Sequence, residues 1–201
     1  MLRIATVLLC LSPAITAAQC LTSEALDAGI SVAYANGNTS YIQRQPDGSI
    51  LDAYDETSSY FQQTIFFASS EGIFENGWVV HERGKWEIQD VTNKSYDFAP
   101  DTVPPFSAES SGHGTITWAD NRYDSGDKTY SWMGYESEPL VLDDCSYDAV
   151  RVFTYELDIS AGEFYVREIK YLPALGVGLQ LGNSYFGFSP DNGIIVSITP
   201  S

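Results

Sequence analysis

The chain has 201 residues, of which 44% are hydrophobic and 18% are charged, and this composition excludes an intrinsically disordered chain. Its formal net charge is −17 at pH 7. A field of that sign repels phosphate backbones and anionic lipid headgroups, so the charge argues against nucleic acid and membrane surfaces as partners.

Residues 1–18 have the layout of a cleavable secretion signal. Arg3 supplies the charged end, an apolar run follows it, and small residues lead to Ala18. The apolar run is too short to span a bilayer. We therefore predict cleavage before Gln19 and a secreted or periplasmic mature chain without a transmembrane segment, folded as a single domain over 19–201.

The cysteines predict one disulfide. Signal cleavage removes Cys10 and leaves Cys20 and Cys145, an even pair in an oxidising compartment. The competing interpretation is a lipid on Cys20, which would require a leucine three residues earlier and a small residue just before the cysteine. Ala17 and Gln19 occupy those positions, so the sequence favours the bridge.

The chain after the signal begins with a short predicted helix over 22–28, which Thr22 or Ser23 can cap and Gly29 can close. Alternating apolar and polar residues then predict strands at 30–34, 39–44, 49–54, 60–67, 78–82 and 85–90. The turns between them are predicted at Asn36-Gly37, Gln45-Pro46-Asp47-Gly48, Asn76-Gly77 and Arg83-Gly84. Such a succession is typical of an antiparallel meander.

A long loop is predicted over 91–112, where Pro100, Pro104 and Pro105 stand among serines and acids. Aromatic alternation resumes at 115–118 in the same style as before the loop. A single sheet system with an insertion therefore explains the pattern better than a domain boundary does.

The second half predicts strands at 115–118, 128–135, 140–145, 149–157, 164–171, 176–181 and 193–198. The predicted class is all-β, with an antiparallel meander forming a curved sheet, a lipocalin-like barrel or a half-barrel, and one short N-terminal helix. A two-sheet sandwich is the alternative. Period-two alternation determines which face is buried but not how a sheet closes.

One short segment resembles a structural element of known proteins. Tyr171-Leu172-Pro173-Ala174-Leu175-Gly176 resembles a strand-turn-strand element in the curved half-barrels of bacterial envelope proteins, including those similar to the periplasmic lipoprotein carriers. The resemblance implies a lipoprotein-carrier-like curved sheet. It is confined to this segment and implies nothing about individual functional residues.

The two histidines offer little for nucleophilic catalysis, which needs a nucleophile beside a base. His81 lies in a predicted strand and is interpreted as a surface residue. His113 is a weak functional candidate, because Gly112 and Gly114 let the backbone approach a ligand and leave the imidazole accessible.

Metal ligands are also scarce. Two distant histidines and two paired cysteines make a four-ligand zinc site improbable. A calcium candidate gathers Asp120, Asp124 and Asp127, but a hairpin loop rich in turn-forming residues is the favoured explanation of acids in such a segment. We therefore predict no bound metal and no cofactor.

Four tryptophans, which fall in different predicted strands, are candidates for lining a ligand cavity: Trp78, Trp86, Trp118 and Trp132. Aromatic residues build cores first, so most of them are expected in the core. If the sheet curves into a barrel, those that point inward would line a cavity for an apolar or amphipathic small molecule.

These features favour a non-catalytic binding or envelope-associated module over an enzyme, since no recognised catalytic motif occurs. One alternative is a periplasmic hydrolase acting on envelope glycans or esters. Another is an interaction or assembly protein that binds an envelope protein through the acidic loop or a sheet edge. A ligand cavity in the structure would favour the first hypothesis.

Overall fold

In a computed structural model, the chain forms a nearly closed, barrel-like antiparallel sheet of twelve strands. The structure describes residues 20–57, 62–103, 105–120, 125–159, 161–184 and 193–201. This confirms the predicted all-β class and the curved, barrel-like form of the sheet. The signal predicted at 1–18 lies outside the described residues, so its cleavage stays a prediction. No helix in the described ranges is both long and apolar enough to cross a membrane.

The first half is a meander in which each strand pairs with the next along the chain. It starts with a helix of four residues, α1 (Ala25–Ala28), which is shorter than the predicted 22–28 because Glu24 stands at the N-cap and no side chain caps the helix. The strands that follow are β1 (Ile30–Tyr34), β2 (Thr39–Arg44), β3 (Ile50–Thr57), β4 (Gln62–Ser70), β5 (Phe74–Glu82) and β6 (Lys85–Tyr96).

The second half continues the sheet from β6, except for a separate two-stranded hairpin formed by β9 and β10. Its strands are β7 (Ser111–Asp120), β8 (Gly126–Glu136), β9 (Leu140–Leu142), β10 (Cys145–Tyr147), β11 (Val150–Asp158), β12 (Glu163–Leu172), β13 (Val177–Ser184) and β14 (Ile195–Pro200). The predicted strand at 140–145 is thus a hairpin, which turns at Asp143 with a positive φ of 50°. The last strand, β14, pairs with β1 and places the C-terminal strand beside the first one.

One predicted turn lies inside a strand. Gly77 belongs to β5, where a Cβ atom would come within 2.4 Å of the Thr92 carbonyl oxygen, so this glycine permits the close approach of β6. The chain turns instead at Glu71 and Gly72, both with positive φ. The Arg83-Gly84 turn between β5 and β6 is confirmed, with positive φ at both residues as tight hairpins require.

The irregular middle segment is shorter than the predicted 91–112. Residues 91–96 complete β6 and 111–112 begin β7, so the segment between the strands runs over 97–110 and contains a 3₁₀ helix, Pro100–Thr102. The segment is also anchored, because Phe106 is 4% exposed and its ring packs on Phe74 and Tyr171. It therefore covers apolar residues of the barrel as well as presenting acids to solvent.

Among the described residues, two apolar clusters form the core. One lies between α1, β1 and β13, and includes Leu26, Val32 and Leu179. The other surrounds Phe74 and Tyr130 inside the barrel.

The predicted disulfide is confirmed. Cys20 and Cys145 are bonded, with their Cα atoms 5.4 Å apart, and both pack against the first apolar cluster. Beside the bond, the backbone N–H of Leu21 donates a hydrogen bond of 3.0 Å to the hydroxyl of Tyr147. The bridge thus ties the segment before α1 to the β9–β10 hairpin.

Candidate functional site

The inward face of β11 changes in chemistry along the strand. Val152 lies in the apolar cluster, and Thr154, Glu156 and Asp158 follow on the same face, all of them buried. Successive side chains of a strand alternate between faces, so this inward row runs from apolar to charged toward the end of the strand.

The neighbouring strand β12 has the matching gradient. Its cross-strand partners to the β11 row are Ile169 opposite Val152, Arg167 opposite Thr154, Tyr165 opposite Glu156 and Glu163 opposite Asp158. Ile169 and Arg167 are buried, whereas Glu163 is exposed at the end of the strand. The barrel interior is therefore layered, with an apolar core, a charged middle layer and a more polar open end.

Four charged side chains form the middle layer, and we call Glu75, Lys94, Glu156 and Arg167 the ionic cluster. The ammonium of Lys94 donates to Glu75 Oε2 at 2.9 Å and to Glu156 Oε1 at 2.6 Å. The guanidinium of Arg167 donates to Glu75 Oε1. Each of the four side chains is at most 8% exposed.

Further hydrogen bonds complete the surroundings of the ionic cluster. Arg167 Nη2 donates to the carbonyl oxygen of Ile73 at 2.6 Å and its Nε to Thr154 Oγ1 at 3.3 Å. The Tyr96 hydroxyl donates to the Glu75 carbonyl oxygen at 2.8 Å. Buried charges are tolerated when they are paired and hydrogen-bonded in this way.

The ionic cluster keeps its members charged. Burial alone would raise the pKa of Glu75, but Arg167 and Lys94 outweigh it and lower that pKa below the ordinary value. Burial would conversely lower the pKa of Lys94, but the carboxylates of Glu75 and Glu156 raise it well above its usual range. Neither group exchanges its proton near neutral pH.

A semi-enclosed cavity of about 310 Å³ lies above the ionic cluster, and we call it the main cavity. Glu75, Lys94 and Glu156 form part of its lining, so the ionic cluster is its floor. The other lining residues are Ile65, Phe67, Trp78, Thr92, Trp118, Asp120, Lys128, Asp158, Glu163 and Tyr165. A cavity with aromatic walls and fixed charges can hold a small amphipathic molecule.

Trp78 and Trp118 line the main cavity, and they are two of the four tryptophans that were candidates for lining a ligand cavity. The ammonium of Lys128 lies 4.9 Å from the centroid of the Trp118 ring, within cation–π distance. The indole Nε1 of Trp118 is buried, and no described group accepts its hydrogen. The Trp118 ring on the wall of the cavity therefore already has a cation of the chain beside it.

The other two tryptophans are elsewhere. Trp132 is 7% exposed and packs in the apolar cluster against Phe74. Trp86 is 53% exposed and contacts Phe66 and His81. Trp132 thus supports the core, and Trp86 lies on the outer face of the sheet together with His81.

His113 also lies on the outer face, exposed on β7 and opposite Ser131 of β8. The glycines beside it make room for aromatic rings, because a Cβ at Gly112 would lie 2.0 Å from the Trp132 ring and one at Gly114 would lie 2.7 Å from the Phe98 ring. These two glycines therefore permit close packing against core rings, and a functional role of His113 stays a prediction.

The calcium candidates are divided between the faces of the sheet. Asp120 lines the main cavity and accepts a hydrogen bond of 3.0 Å from Thr92 Oγ1. Asp127 is exposed and accepts a bond of 2.7 Å from Thr117 Oγ1. Asp124 lies outside the described residues. Within the described ranges, no group of three or more His, Cys, Asp or Glu residues is arranged to hold a metal ion.

A second, much smaller cavity of about 20 Å³ lies on the other side of Glu75 and Arg167, which line it together with Asp52. Burial raises the pKa of Asp52 to about 7, although the Ser40 hydroxyl opposes that shift. The interior polar groups therefore continue from the main cavity past the ionic cluster to Asp52.

The outer face of β8, β11 and β12 carries an aromatic cluster made of Tyr135, Phe153, Tyr155 and Phe164. Tyr135 is 40% and Phe164 is 45% exposed. The guanidinium of Arg151 lies 4.8 Å from the Phe153 ring centroid. The interaction hypothesis depends on the acidic segment, here 97–110, or on a sheet edge, and it stays a prediction.

Sequence reasoning missed the ionic cluster, including Lys94, which lay within the predicted loop. A signal was present in the second half, where Glu156 and Arg167 have the same period-two spacing as the core residues Val152 and Ile169. A charge at an inward position of an apolar row indicates a buried, paired group.

Comparison of the chain with protein-family models, with curated proteins and with solved structures finds no match.

Proposed function

We propose that this chain is a non-catalytic, exported binding protein that holds a small molecule in the main cavity. The observation that carries the proposal is a semi-enclosed space of about 310 Å³ inside the barrel, walled by Trp78 and Trp118 and floored by the ionic cluster. Small-molecule sites are concave and largely apolar, contain a few convergent polar groups and begin at about 300 Å³. The main cavity is concave and of this size, and its aliphatic and aromatic walls surround convergent charged groups, which are more numerous than in most such sites.

The proton chemistry of the floor assigns the ionic cluster no role in acid–base catalysis. General acid–base catalysis needs a group whose pKa lies near the working pH. Glu75 is held as a carboxylate and Lys94 as an ammonium, because each has a pKa moved away from neutrality by its partner. The ionic cluster therefore shapes and polarises the floor without transferring protons.

Export is supported by two separate features. Residues 1–18 have the composition of a cleavable signal, and the Cys20–Cys145 bridge is the form that cysteines take in oxidising compartments such as the periplasm or the exterior. The intact mass of the protein purified from its own cells, before and after reduction, tests both features together. A mass that still includes residues 1–18 would contradict export by this signal.

Native mass spectrometry of the protein purified without denaturation tests ligand binding. We expect an additional non-covalent mass on the wild-type chain. A cavity-filling variant, Ile65→Trp, should lose that mass, because Ile65 lines the main cavity. The matched control is Phe66→Trp, since the adjacent side chain points to the outer face and packs on Trp86.

Circular dichroism and thermal unfolding must show that both variants are folded before their masses are compared. Loss of the bound mass in Ile65→Trp but not in Phe66→Trp places the ligand in the main cavity. A wild-type protein that carries no bound mass, or one that loses it equally in the two variants, would contradict the proposed function.

A further inference from the structure

We propose that the ligand of the main cavity is a small organic cation, an amine or quaternary ammonium attached to an apolar body. This inference rests on the proposed function and specifies the chemical class that the same site would take. Three independent features of the cavity carry it: its charge, the saturation of its own cations and its aromatic walls.

The described residues that line the main cavity carry more negative than positive charges. Its carboxylates belong to Glu75, Asp120, Glu156, Asp158 and Glu163, whereas its ammonium groups belong to Lys94 and Lys128. Arg167, a member of the ionic cluster that does not itself line the cavity, adds one further positive charge beside Glu75. The carboxylates therefore remain in excess, in a molecule whose formal net charge is already −17. A cleft with low-dielectric walls focuses such a field and concentrates cations.

The excess is located toward the open end. Asp158 and Glu163 are directly opposite each other in the β11–β12 pair, and both line the cavity. Like charges at directly opposed positions are destabilising in a sheet. Asp158 Oδ1 accepts a hydrogen bond of 2.9 Å from the backbone N–H of Ala161, and Glu163 is exposed, so a cation bound at the open end would be attracted by both carboxylates.

The cations of the floor have little to offer an anion. The ammonium of Lys94 already lies between the carboxylates of Glu75 and Glu156, at 2.9 and 2.6 Å. The guanidinium of Arg167 donates to Glu75, to the Ile73 carbonyl and to Thr154. An anionic ligand would have to break these buried pairs, which is strongly unfavourable because it leaves charges unpaired.

The walls suit a cation with an apolar body. Lys128 places an ammonium 4.9 Å from the Trp118 ring centroid, so this ring already has a cation of the chain beside it. Trp78 lines the same cavity and supplies a second indole. Indole faces attract cations and also bury apolar surface, which explains why both halves of an organic ammonium would be bound.

Three probes with the same aromatic body and different charge test the inference: phenethylamine, phenethyl alcohol and phenylacetate. Calorimetric titration of the folded protein at low salt should show that the amine binds at least about tenfold more tightly than the alcohol. The carboxylate should bind more weakly than the alcohol. Added salt should reduce the difference between amine and alcohol, because it screens the field of the open end.

Two matched pairs of variants locate the effect. Asp120→Asn and Glu163→Gln each remove a cavity carboxylate, and each should weaken amine binding several-fold without changing alcohol binding. The controls Asp127→Asn and Glu168→Gln make the same charge changes on the outer face, where Asp127 accepts from Thr117 and Glu168 pairs with Arg151. The controls should leave amine binding unchanged.

The outcomes separate this inference from the proposed function. Equal affinity for amine and alcohol, tighter binding of the carboxylate or binding of none of the probes by the folded protein would overturn the cation assignment. Equal weakening by the cavity and the control variants would overturn the placement of the cation in the main cavity. Whether the cavity holds any ligand is decided separately, by the mass retained on the purified chain.

Discussion

At the scale of single residues, Arg167 shows how the barrel tolerates charge in its interior. Its side chain is 3% exposed, and its donors reach Glu75, the Ile73 carbonyl and Thr154. A buried ion pair contributes little net stability compared with an apolar pair, but removal of one partner leaves the other charge buried and alone. Arg167 is therefore needed chiefly because Glu75 is present.

Arg167→Met should lower the free energy of unfolding by about 3–5 kcal/mol, since it removes one of the two cations that pair with the buried carboxylate of Glu75 and leaves Lys94 as the remaining one. Urea unfolding measures this change. The matched control is Arg151→Met, because Arg151 pairs with Glu168 on the outer face and its side chain is 47% exposed. An exposed pair is worth about 0–1 kcal/mol, so equal losses in the two variants would contradict the importance of burial.

Asp52 gives the molecule a pH-dependent stability. Its folded-state pKa is raised by burial from 3.8 to about 7, so the folded chain holds a proton that the unfolded chain releases. This contribution is fully present below the unfolded pKa and is lost as the pH rises toward 7. Asp52→Asn should remove this contribution to the pH dependence and stabilise the protein at pH 8 by up to about 4 kcal/mol.

Urea unfolding of wild type and Asp52→Asn at a series of pH values measures the effect as a difference between the two proteins. The control is Asp55→Asn, on the same strand but exposed and bonded to Thr64 Oγ1 at 2.5 Å. A wild-type minus Asp52→Asn difference that stays constant between pH 4 and 7 would show that Asp52 does not titrate in this range.

At the scale of elements, the hairpins were predictable and the interior of the strands was less so. The Arg83-Gly84 turn could be recognised because two consecutive residues with positive φ need such a sequence. Gly77 also predicted a turn, but it lies inside a strand, where the absence of a side chain permits the close approach of Thr92. Local sequence cannot separate these two uses of glycine.

The ionic cluster could not be assembled from sequence because its contacts are distant along the chain. Glu75 and Arg167 are 92 residues apart, and Lys94 and Glu156 are 62 residues apart. Strand alternation identifies the inward residues, but only the sheet register brings those of β5, β6, β11 and β12 together. Lys94 was missed for a further reason. Polar residues occupy inward positions in the last part of β6, so the alternation of apolar and polar residues that indicates a strand is not visible there.

The β7 strand depends on Gly112, where a Cβ atom would meet the Trp132 ring at 2.0 Å. Trp132 is buried in the apolar cluster and cannot move without displacing Phe74 and Phe98. Gly112→Ala should therefore lower the free energy of unfolding by about 1–3 kcal/mol, as overpacking does in well-packed cores. Urea unfolding tests this, with the exposed neighbour Ser111→Ala as control, and an unchanged Gly112→Ala stability would show that Trp132 has room to shift.

At the scale of the whole molecule, the barrel closes the main cavity at its apolar end and leaves the charged end open. The apolar cluster around Phe74 and the 97–110 segment fill one end, with Phe106 inserted against Tyr171. The ionic cluster separates that core from the main cavity. A ligand would therefore meet aromatic walls on entry and fixed, paired charges at the floor.

The disulfide connects the segment before α1 to the β9–β10 hairpin. It joins Cys20, just before α1, to Cys145, a position 125 residues later, and β1 beyond α1 pairs with the final strand β14. A crosslink over a loop of that length restricts the unfolded chain more than the folded one, and loss of a native disulfide typically costs about 2–5 kcal/mol. The double variant Cys20→Ser, Cys145→Ser should lose stability in this range when it is unfolded in urea.

The reducing agent dithiothreitol provides the control for this prediction. It should lower the urea midpoint of the oxidised wild type to that of the double variant and should leave the double variant unchanged. The slope of the transition should increase when the bridge is removed, because the unfolded chain then exposes more surface. A wild type that unfolds at the same urea concentration with and without dithiothreitol, after mass measurement shows complete reduction, would mean that the packing of α1 and the β1–β14 pairing hold the amino-terminal segment without the bridge.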